Sequence, residues 1–427
     1  MTQAAPGALV PSFGPPPRRH TSALTIVTMV VLGLGSLAIG VLLFLSGGPV
    51  NTVIIILLAA VSFPLLILLC FWLDRYEPEP PRYRIAALGW GAVIAVGIGL
   101  GLEALASALG ASAETVTVIW APVFEELGKG LFPLLVLLLR RQQLHGILDG
   151  IVYAVLTGIG FAFTEDLLYY LQSLAQGGAG GLAGTFILRG VLSPFAHPLF
   201  TSATGVGIGI AVMSRSRLVQ VGAPILGYLV AVLLHATWNG SATFGGTRGF
   251  FLTYLIAFLP LLIGLAIIAV WARRQEGRML TAALQDCARM GWVNPAEIRW
   301  VATLSDRVAA RKYAKQVGGK QAADVLQHYQ QALTEMAFLH NRVVSGTAPA
   351  DFNRRMYDIQ QRAAQLRPAV ILPPVQPPRQ LYGGPGGPMY GPPTTLTPSP
   401  NAQWSPIPGA PLQPGPEPPP GWQQPPR

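Results

Sequence analysis

Glu125, Glu126 and Lys129 sit near the middle of the stretch Trp120–Leu139, which has the length and apolarity of a membrane span. Charges at that depth cost about 3 kcal/mol each on insertion scales, so they persist mainly where they face a protein interior and act there. Lys129 is the first lysine of the chain, and the next is Lys312. Three further apolar stretches carry polar groups: Glu165 and Asp166 after Phe161-Ala-Phe-Thr, His197 opening His-Pro-Leu-Phe-Thr201, and His235 with Asn239 four residues on.

Helical residues three or four apart share a face, so Lys129 can reach either glutamate. The two glutamates project about 100° apart. One is therefore expected to pair with Lys129 while the other faces a cavity, where an enclosed carboxylate suits a general base taking a proton from water. His235 and Asn239, four apart, can aim an imidazole and a carboxamide at one point and stabilise an oxyanion. The same groups could instead hold a metal, with Glu165, His197 and His235 as ligands and zinc as the ion such donors ordinarily take. The chain has no His-Glu-x-x-His helix, so the common zinc-protease motif is absent.

Each residue also has a plainer role open to it. A lone histidine in a span more often hydrogen-bonds between helices. Glu165 could do the same, and Lys129 with one glutamate could be an internal ion pair, which leaves the second glutamate over. Asp149 before Gly150 is expected as a helix N-cap, Asp166 as a partner of Arg189, and Glu103 and Glu114 as solvated near an outer span end. The acidic, proline-rich run Asp74–Pro81 reads as a stiff loop.

The scaffold expected around these residues is an all-α membrane protein. Of the 427 residues, 51% are hydrophobic and only 11% charged. About eight stretches are long enough to cross a bilayer, at roughly 24–46, 52–73, 85–109, 116–139, 147–172, 185–213, 219–240 and 250–272. Counted along these helices at about 1.5 Å per residue, the polar groups fall in one slab between the midplane and one surface. Arg18 and Arg19, Arg75, Arg82 and Arg84, Arg140 and Arg141, Arg215 and Arg217, and Arg273, Arg274 and Arg278 all fall in loops on one side, so both termini are expected in the cytoplasm of a plasma-membrane protein. That slab then leans outward.

The net charge of +10 comes mostly from these arginines and marks orientation, not nucleic-acid binding, for which aromatic-interleaved basic patches are lacking. Cys70 and Cys287 supply neither a disulfide framework nor a thiolate metal site. The domain reading is an N-terminal tail over 1–22, a membrane domain over 23–273, a cytoplasmic helical region over 274–367 and a proline-rich tail over 368–427. In the helical region Asn294-Pro295 starts a helix and Gly318-Gly319 stops one. Twenty-one of the last 60 residues are proline, a composition that cannot bury a core.

Glu125-Glu-Leu-Gly-Lys129, Phe161-x-x-x-Glu165, His197 and His235-x-x-x-Asn239, in this order, resemble the PrsW family of intramembrane proteases, within the larger group of CAAX prenyl endopeptidases. The Asp74–Pro80 loop and Asp149-Gly-Ile-Val-Tyr153 are similar too, so the likeness covers about residues 70–240. Asp166 departs from it, since relatives commonly have asparagine there. The resemblance implies a membrane-embedded glutamate-dependent peptidase, often labelled a metalloprotease, that cuts membrane proteins on the extracytoplasmic side, as the type member does to an anti-sigma factor. The expected roles are Glu125 or Glu126 as base with Lys129 tuning the other, Glu165 and His197 completing a water or zinc site, and His235 with Asn239 polarising the scissile carbonyl. The alternatives are a proton- or ion-coupled transporter, against which no inverted repeat is evident, and a non-catalytic membrane scaffold.

Overall fold

Long runs of Leu, Ile, Val and Ala fold as helices in lipid because only bonding within the segment satisfies every backbone N–H and C=O. The structure, a computed structural model, describes residues 23–374 except residue 77, with side chains described from residue 28 onward apart from residue 142. The N-terminal tail and nearly all of the proline-rich tail lie outside these residues. The described residues form one unit extending to Pro374 and contain helices but no strand.

In chain order the helices are α1 (Ala23–Ala59), α2 (Phe63–Leu73), α3 (Pro81–Gly89), α4 (Val96–Ala108), α5 (Ala113–Thr115), α6 (Ala121–Arg140), α7 (Ile147–Thr185), α8 (Ala196–Met213), α9 (Arg217–Thr253), α10 (Leu259–Arg289), α11 (Arg299–Ala302), α12 (Leu304–Val344) and α13 (Phe352–Leu366). Single π-helical turns at Trp90–Ala95, Val116–Trp120, Phe186–Leu192 and Tyr254–Phe258 join several of them.

Among the described residues four stretches are long and apolar enough to cross a membrane: Thr28–Leu73, Pro81–Ala108, Ile147–Met213 and Arg217–Arg289. Straight helices of 67 or 73 residues would run about 100 Å, three times a bilayer core. The chain instead turns at glycines with positive φ, Gly48, Gly178 and Gly246, a conformation that a side chain would resist. A Cβ on Gly181 would lie 2.6 Å from the carbonyl oxygen of Ser173, and one on Gly249 would lie 3.4 Å from that of Ser241. In a continuous helix residues eight apart are about 12 Å from each other, so the backbone doubles back at both places. Helix α6, with Glu125, Glu126 and Lys129, is too charged to join the four apolar stretches.

The centre of the bundle is α7 against α8. In the most apolar part of Ile147–Met213, 83% of residues are buried, against 17% in Thr28–Leu73 and in Arg217–Arg289, so the first pair is enclosed by the others. The two backbones touch: a Cβ on Gly150 would stand 2.1 Å from the carbonyl oxygen of Gly205. Small residues allow this approach where helices lack a hydrophobic drive to associate.

From the C-terminal half of α10 onward a second core gathers Leu280, Leu284, Trp300, Leu326, Met336 and Met356. Asn294 caps the turn Pro295–Glu297, accepting from the backbone N–H of Ala296, and Gly319 breaks α12 with φ 72°, as the sequence led one to expect. Tyr329 donates to Glu297 at 2.5 Å, and burial together with that carboxylate pushes the phenol well above its ordinary pKa. These helices dock on three loops of the membrane bundle. Arg307 donates to the carbonyl of Tyr76 at 2.8 Å, Arg215 to that of Ser345 at 2.5 Å, and the His145 ring lies 5.1 Å from that of Phe338. The loops concerned are among those that arginine asymmetry places on one side.

Several local expectations change. Asp149 is not the N-cap of α7 but its third residue, whose carboxylate reaches back to the N–H groups of His145 and Gly146 at 2.5 and 3.3 Å. The Asp74–Pro81 run is an anchored loop and not merely a stiff one. Asp74 and Glu79 are 5% and 4% exposed, Asp74 accepts from the Glu79 N–H, and Tyr153 donates to the Glu79 carboxylate.

Candidate active site

Helix α6 is held from both sides before its charges come into play. The indole of Trp90 donates to the carbonyl of Gly128 at 2.9 Å, and the Tyr228 hydroxyl donates to that of Val123 at 2.9 Å. Gly128 packs directly on Ala95, where a Cβ would meet backbone atoms at 3.1 Å. The helix continues directly from the π-helical turn Val116–Trp120, and Pro122 near that junction has no N–H to bond back into the turn.

Glu125, Glu126 and Lys129 are 7%, 0% and 0% exposed. The Lys129 ammonium lies 3.0 Å from Glu125 Oε2, 2.8 Å from Glu126 Oε1 and 3.0 Å from His197 Nδ1, and 3.8 Å above the Phe161 ring. The expected division, one glutamate on the lysine and the other free, is therefore replaced by a lysine that bridges both. The long, flexible stem of Lys129 brings its ammonium between two carboxylates whose Cβ directions diverge.

A lysine ammonium only donates, so His197 Nδ1 accepts and its Nε2–H donates to Glu165 Oε2 at 2.6 Å. His235 Nδ1 lies 3.1 Å from Glu126 Oε1, which as a carboxylate accepts, leaving the lone pair of His235 on Nε2, 3.9 Å from Glu125 Oε2. Thr201 donates to the other oxygen of Glu126 at 2.9 Å. Glu126 thus has three partners, whereas Glu125 has one close one. The two imidazoles stand edge to face with centroids 5.1 Å apart, and Phe200 stacks on His235 at 5.0 Å.

Behind His197, Arg189 donates to Glu165 at 2.5 Å and to Asp166 at 2.6 Å. The Asp166–Arg189 pair was legible in the sequence, while the hold of Arg189 on Glu165 was not. Its signal was an arginine inside an apolar stretch, which must find carboxylates. Glu103, expected to be solvated, is half-buried. A Cβ on Gly99 would lie 3.3 Å from Glu103 Oε1 and 3.1 Å from Glu125 Cγ, so the two side chains flank one glycine. Glu114 is exposed.

Asn239 is brought to the neighbourhood but not to the cluster: its amide donates to the carbonyl of Thr117 at 2.8 Å. It lines a cleft of about 560 Å³ that also touches His197, Asp166, Arg189, Trp238 and Phe250. The cluster thus has an open side at His197, with a partly aromatic wall from α9.

One carboxylate oxygen of Glu125 and one ring nitrogen each of His197 and His235 lie within 4.8 Å of one another. A carboxylate with two imidazoles is a donor set that fits zinc. Glu165, expected among the ligands, stands behind His197 instead, where an outer carboxylate orients a ligating imidazole. The Lys129 ammonium shares the space between these donors.

Residues 79–265 match the PrsW family, described as intramembrane metalloproteases. The match begins at Glu79 and runs through α9 into α10, further than the motif likeness at about 70–240. Neither a curated protein nor a solved structure matches the chain.

Proposed function

We propose that this chain, whose residues 79–265 match the PrsW family of intramembrane metalloproteases, is an intramembrane endopeptidase in which Glu125 activates the attacking water. The observation that carries this reading is the buried convergence of Glu125, Glu126, Lys129, His197 and His235 beside an open cleft.

The partner count divides the two glutamates. Glu126, bound by Lys129, Thr201 and His235, is a fixed anion that holds the imidazole of His235 with its Nε2 lone pair free. Glu125 keeps only Lys129 at close range and has the 3.9 Å gap to His235 Nε2 in which a water can be held. There it takes a proton from that water, which attacks the scissile carbonyl. The proton then passes to the leaving amine. The Lys129 ammonium stabilises the negative charge that develops beside it. Glu165, itself fixed by Arg189, holds His197 in one tautomer. Asn239 serves at the cleft wall, where its amide can position the substrate backbone.

A metal held by Glu125, His197 and His235 would make a bound water more acidic and polarise the carbonyl. The substrate is a membrane-embedded protein, such as an anti-sigma-factor-like chain, reaching the site from the extracytoplasmic half of the bilayer. We further read the bundle as eight spans with both termini in the cytoplasm. Supporting this are the reversals at Gly178 and Gly246 and the common docking of arginine-bearing loops on the C-terminal helices. Transport coupled to protons or ions is not favoured by the family match.

The test is reconstitution in liposomes with single-span substrates. Wild type should cleave them and Glu125→Gln should lose about 10²–10⁴-fold in rate, the range for a lost general base. Wild type that cleaves none of the substrates offered and carries a proton flux abolished by Glu125→Gln would refute the protease reading.

A further inference from the structure

At the end of the bundle opposite Gly178 and Gly246, a second cleft of about 660 Å³ lies between the C-terminus of α6, the α8–α9 loop and the segment after α12. Arg140, Arg141, Arg215, Arg342 and Arg355 line it, and among the described residues no carboxylate does. Five guanidinium groups on one cleft repel one another, and an assembly of this kind persists where an anion is shared among them.

Three of the arginines are placed by backbone contacts, not by acids. Arg141 donates to the carbonyl of Val212 at 3.4 Å, Arg215 to that of Ser345 at 2.5 Å and Arg342 to that of Thr347 at 3.3 Å. Of the five, Arg355 alone has a salt bridge among the described residues, to exposed Asp351 at 2.7 Å. Gly346, at φ +65°, lets Arg215 lie flat on its backbone, where a Cβ would meet the guanidinium at 2.2 Å. Burial, and after it the neighbouring Arg141 and Arg355, lower the pKa of Arg342 below its ordinary value.

Leu138 and Leu139 border the same cleft and are 67% and 57% exposed on the apolar outer face of α6. A ligand here meets cations on one side and hydrocarbon on the other.

We propose that this cleft binds a phosphate group, that of an anionic phospholipid whose acyl chains run along Leu138 and Leu139, and so fastens the C-terminal helices to the membrane bundle. Basic pockets between spanning helices at a membrane surface recognise headgroups in this way, each arginine contributing about fivefold in affinity. A free phosphate shares the headgroup's charge but not its acyl chains, so the two sources separate experimentally.

Full-length protein in detergent is titrated with phosphatidylglycerol, phosphatidylcholine or inorganic phosphate, reading bound lipid by native mass spectrometry and the thermal unfolding midpoint. Phosphatidylglycerol is expected to bind and raise the midpoint, while phosphatidylcholine leaves it unchanged. Arg140→Gln with Arg355→Gln should weaken binding about 30-fold, Arg140→Lys with Arg355→Lys should retain most of it, and the remote Arg248→Gln should have no effect. Equal stabilisation by inorganic phosphate would keep the site and assign it to a free anion. Equal binding of both lipids, or binding unchanged in the glutamine pair, would overturn the proposal. Because the readout is binding, it stands or falls apart from the protease reading.

Discussion

Lys129 Nζ lies 3.0 Å from His197 Nδ1, joining residues 68 positions apart across two helices. This contact determines how protons are arranged in the cluster. It makes Nδ1 an acceptor, sends the imidazole proton to Glu165, and places one cation within reach of both glutamates. The lysine thus contacts three partners at once.

Glu126→Gln separates the two glutamates. Glu126 is fully enclosed and accepts from Lys129, Thr201 and His235, so its neutral replacement weakens three buried hydrogen bonds while Lys129 keeps Glu125. Buried hydrogen-bonding groups left poorly matched cost about 1–3 kcal/mol each. Thermal unfolding should start at a clearly lower temperature for Glu126→Gln than for Glu125→Gln, which should unfold near wild type.

Asp166→Asn should be mild. The amide oxygen can still accept from Arg189 Nε, now at 2.6 Å from the carboxylate, and a weakened hydrogen bond costs about 1 kcal/mol. Arg189→Gln strips the partner from Glu165 and Asp166 together, so its loss of cleavage and stability should exceed that of Asp166→Asn by about tenfold or more. Similar behaviour of the two variants in a cleavage assay would remove Arg189 from the chain of support behind His197.

Chelation tests the metal. If Glu125, His197 and His235 ligate zinc, activity is lost on dialysis against a chelator and returns on adding zinc. Lys129→Met carries a sharper readout. It leaves two buried carboxylates without the ammonium now 2.8 and 3.0 Å away, so its unfolding midpoint in chelator should fall well below wild type. Zinc should then raise the midpoint of Lys129→Met more than that of wild type, and an equal response would argue that the ion does not enter this cluster.

Orientation can be read with reporter fusions. Fusions at Gly178 and Ser241 are expected on the extracytoplasmic side, and fusions at Arg141 and Glu276 in the cytoplasm. A swapped pattern would put the cleft on the inner leaflet and end the case for extracytoplasmic cleavage.

The residues of the site were visible in the sequence because charge inside an apolar stretch is costly and therefore conspicuous. Glu125, Glu126, Lys129, Glu165, His197 and His235 all stood out on that ground, and all lie in one network. What the sequence hid depended on side-chain reach and on chain reversal. Helical geometry correctly separates the two glutamates by direction but does not show that a long lysine stem closes the gap. Asn239 shares a helix face with His235, yet its short amide is taken by the Thr117 carbonyl. Asp74 and Glu79 looked like loop residues because acids beside prolines usually are, and only the approach of Tyr153 from α7 buries them. The cytoplasmic helical region was read as starting at residue 274, but α10 continues unbroken to Arg289 and its Leu280 and Leu284 begin the second core, so that boundary falls inside a helix.

The backbone contact between Gly150 and Gly205 also has a mechanical meaning. A Cβ on Gly160 would lie 2.0 Å from the carbonyl oxygen of Leu88, so α7 is pressed by main chain on its other flank as well. A helix gripped on two sides without intervening side chains can neither roll nor slide without collision, and interiors packed this closely yield little. The α7 side of the cleft, with Asp166, Tyr169 and the Arg189 it holds, is accordingly the fixed jaw. Across the cleft, Trp238 and Phe250 of α9 meet edge to face with centroids 4.8 Å apart, Phe250 buried and Trp238 part-buried. Of the cluster, Glu165 and the Arg189 that holds it stand on this gripped side, whereas His235 reaches in from α9.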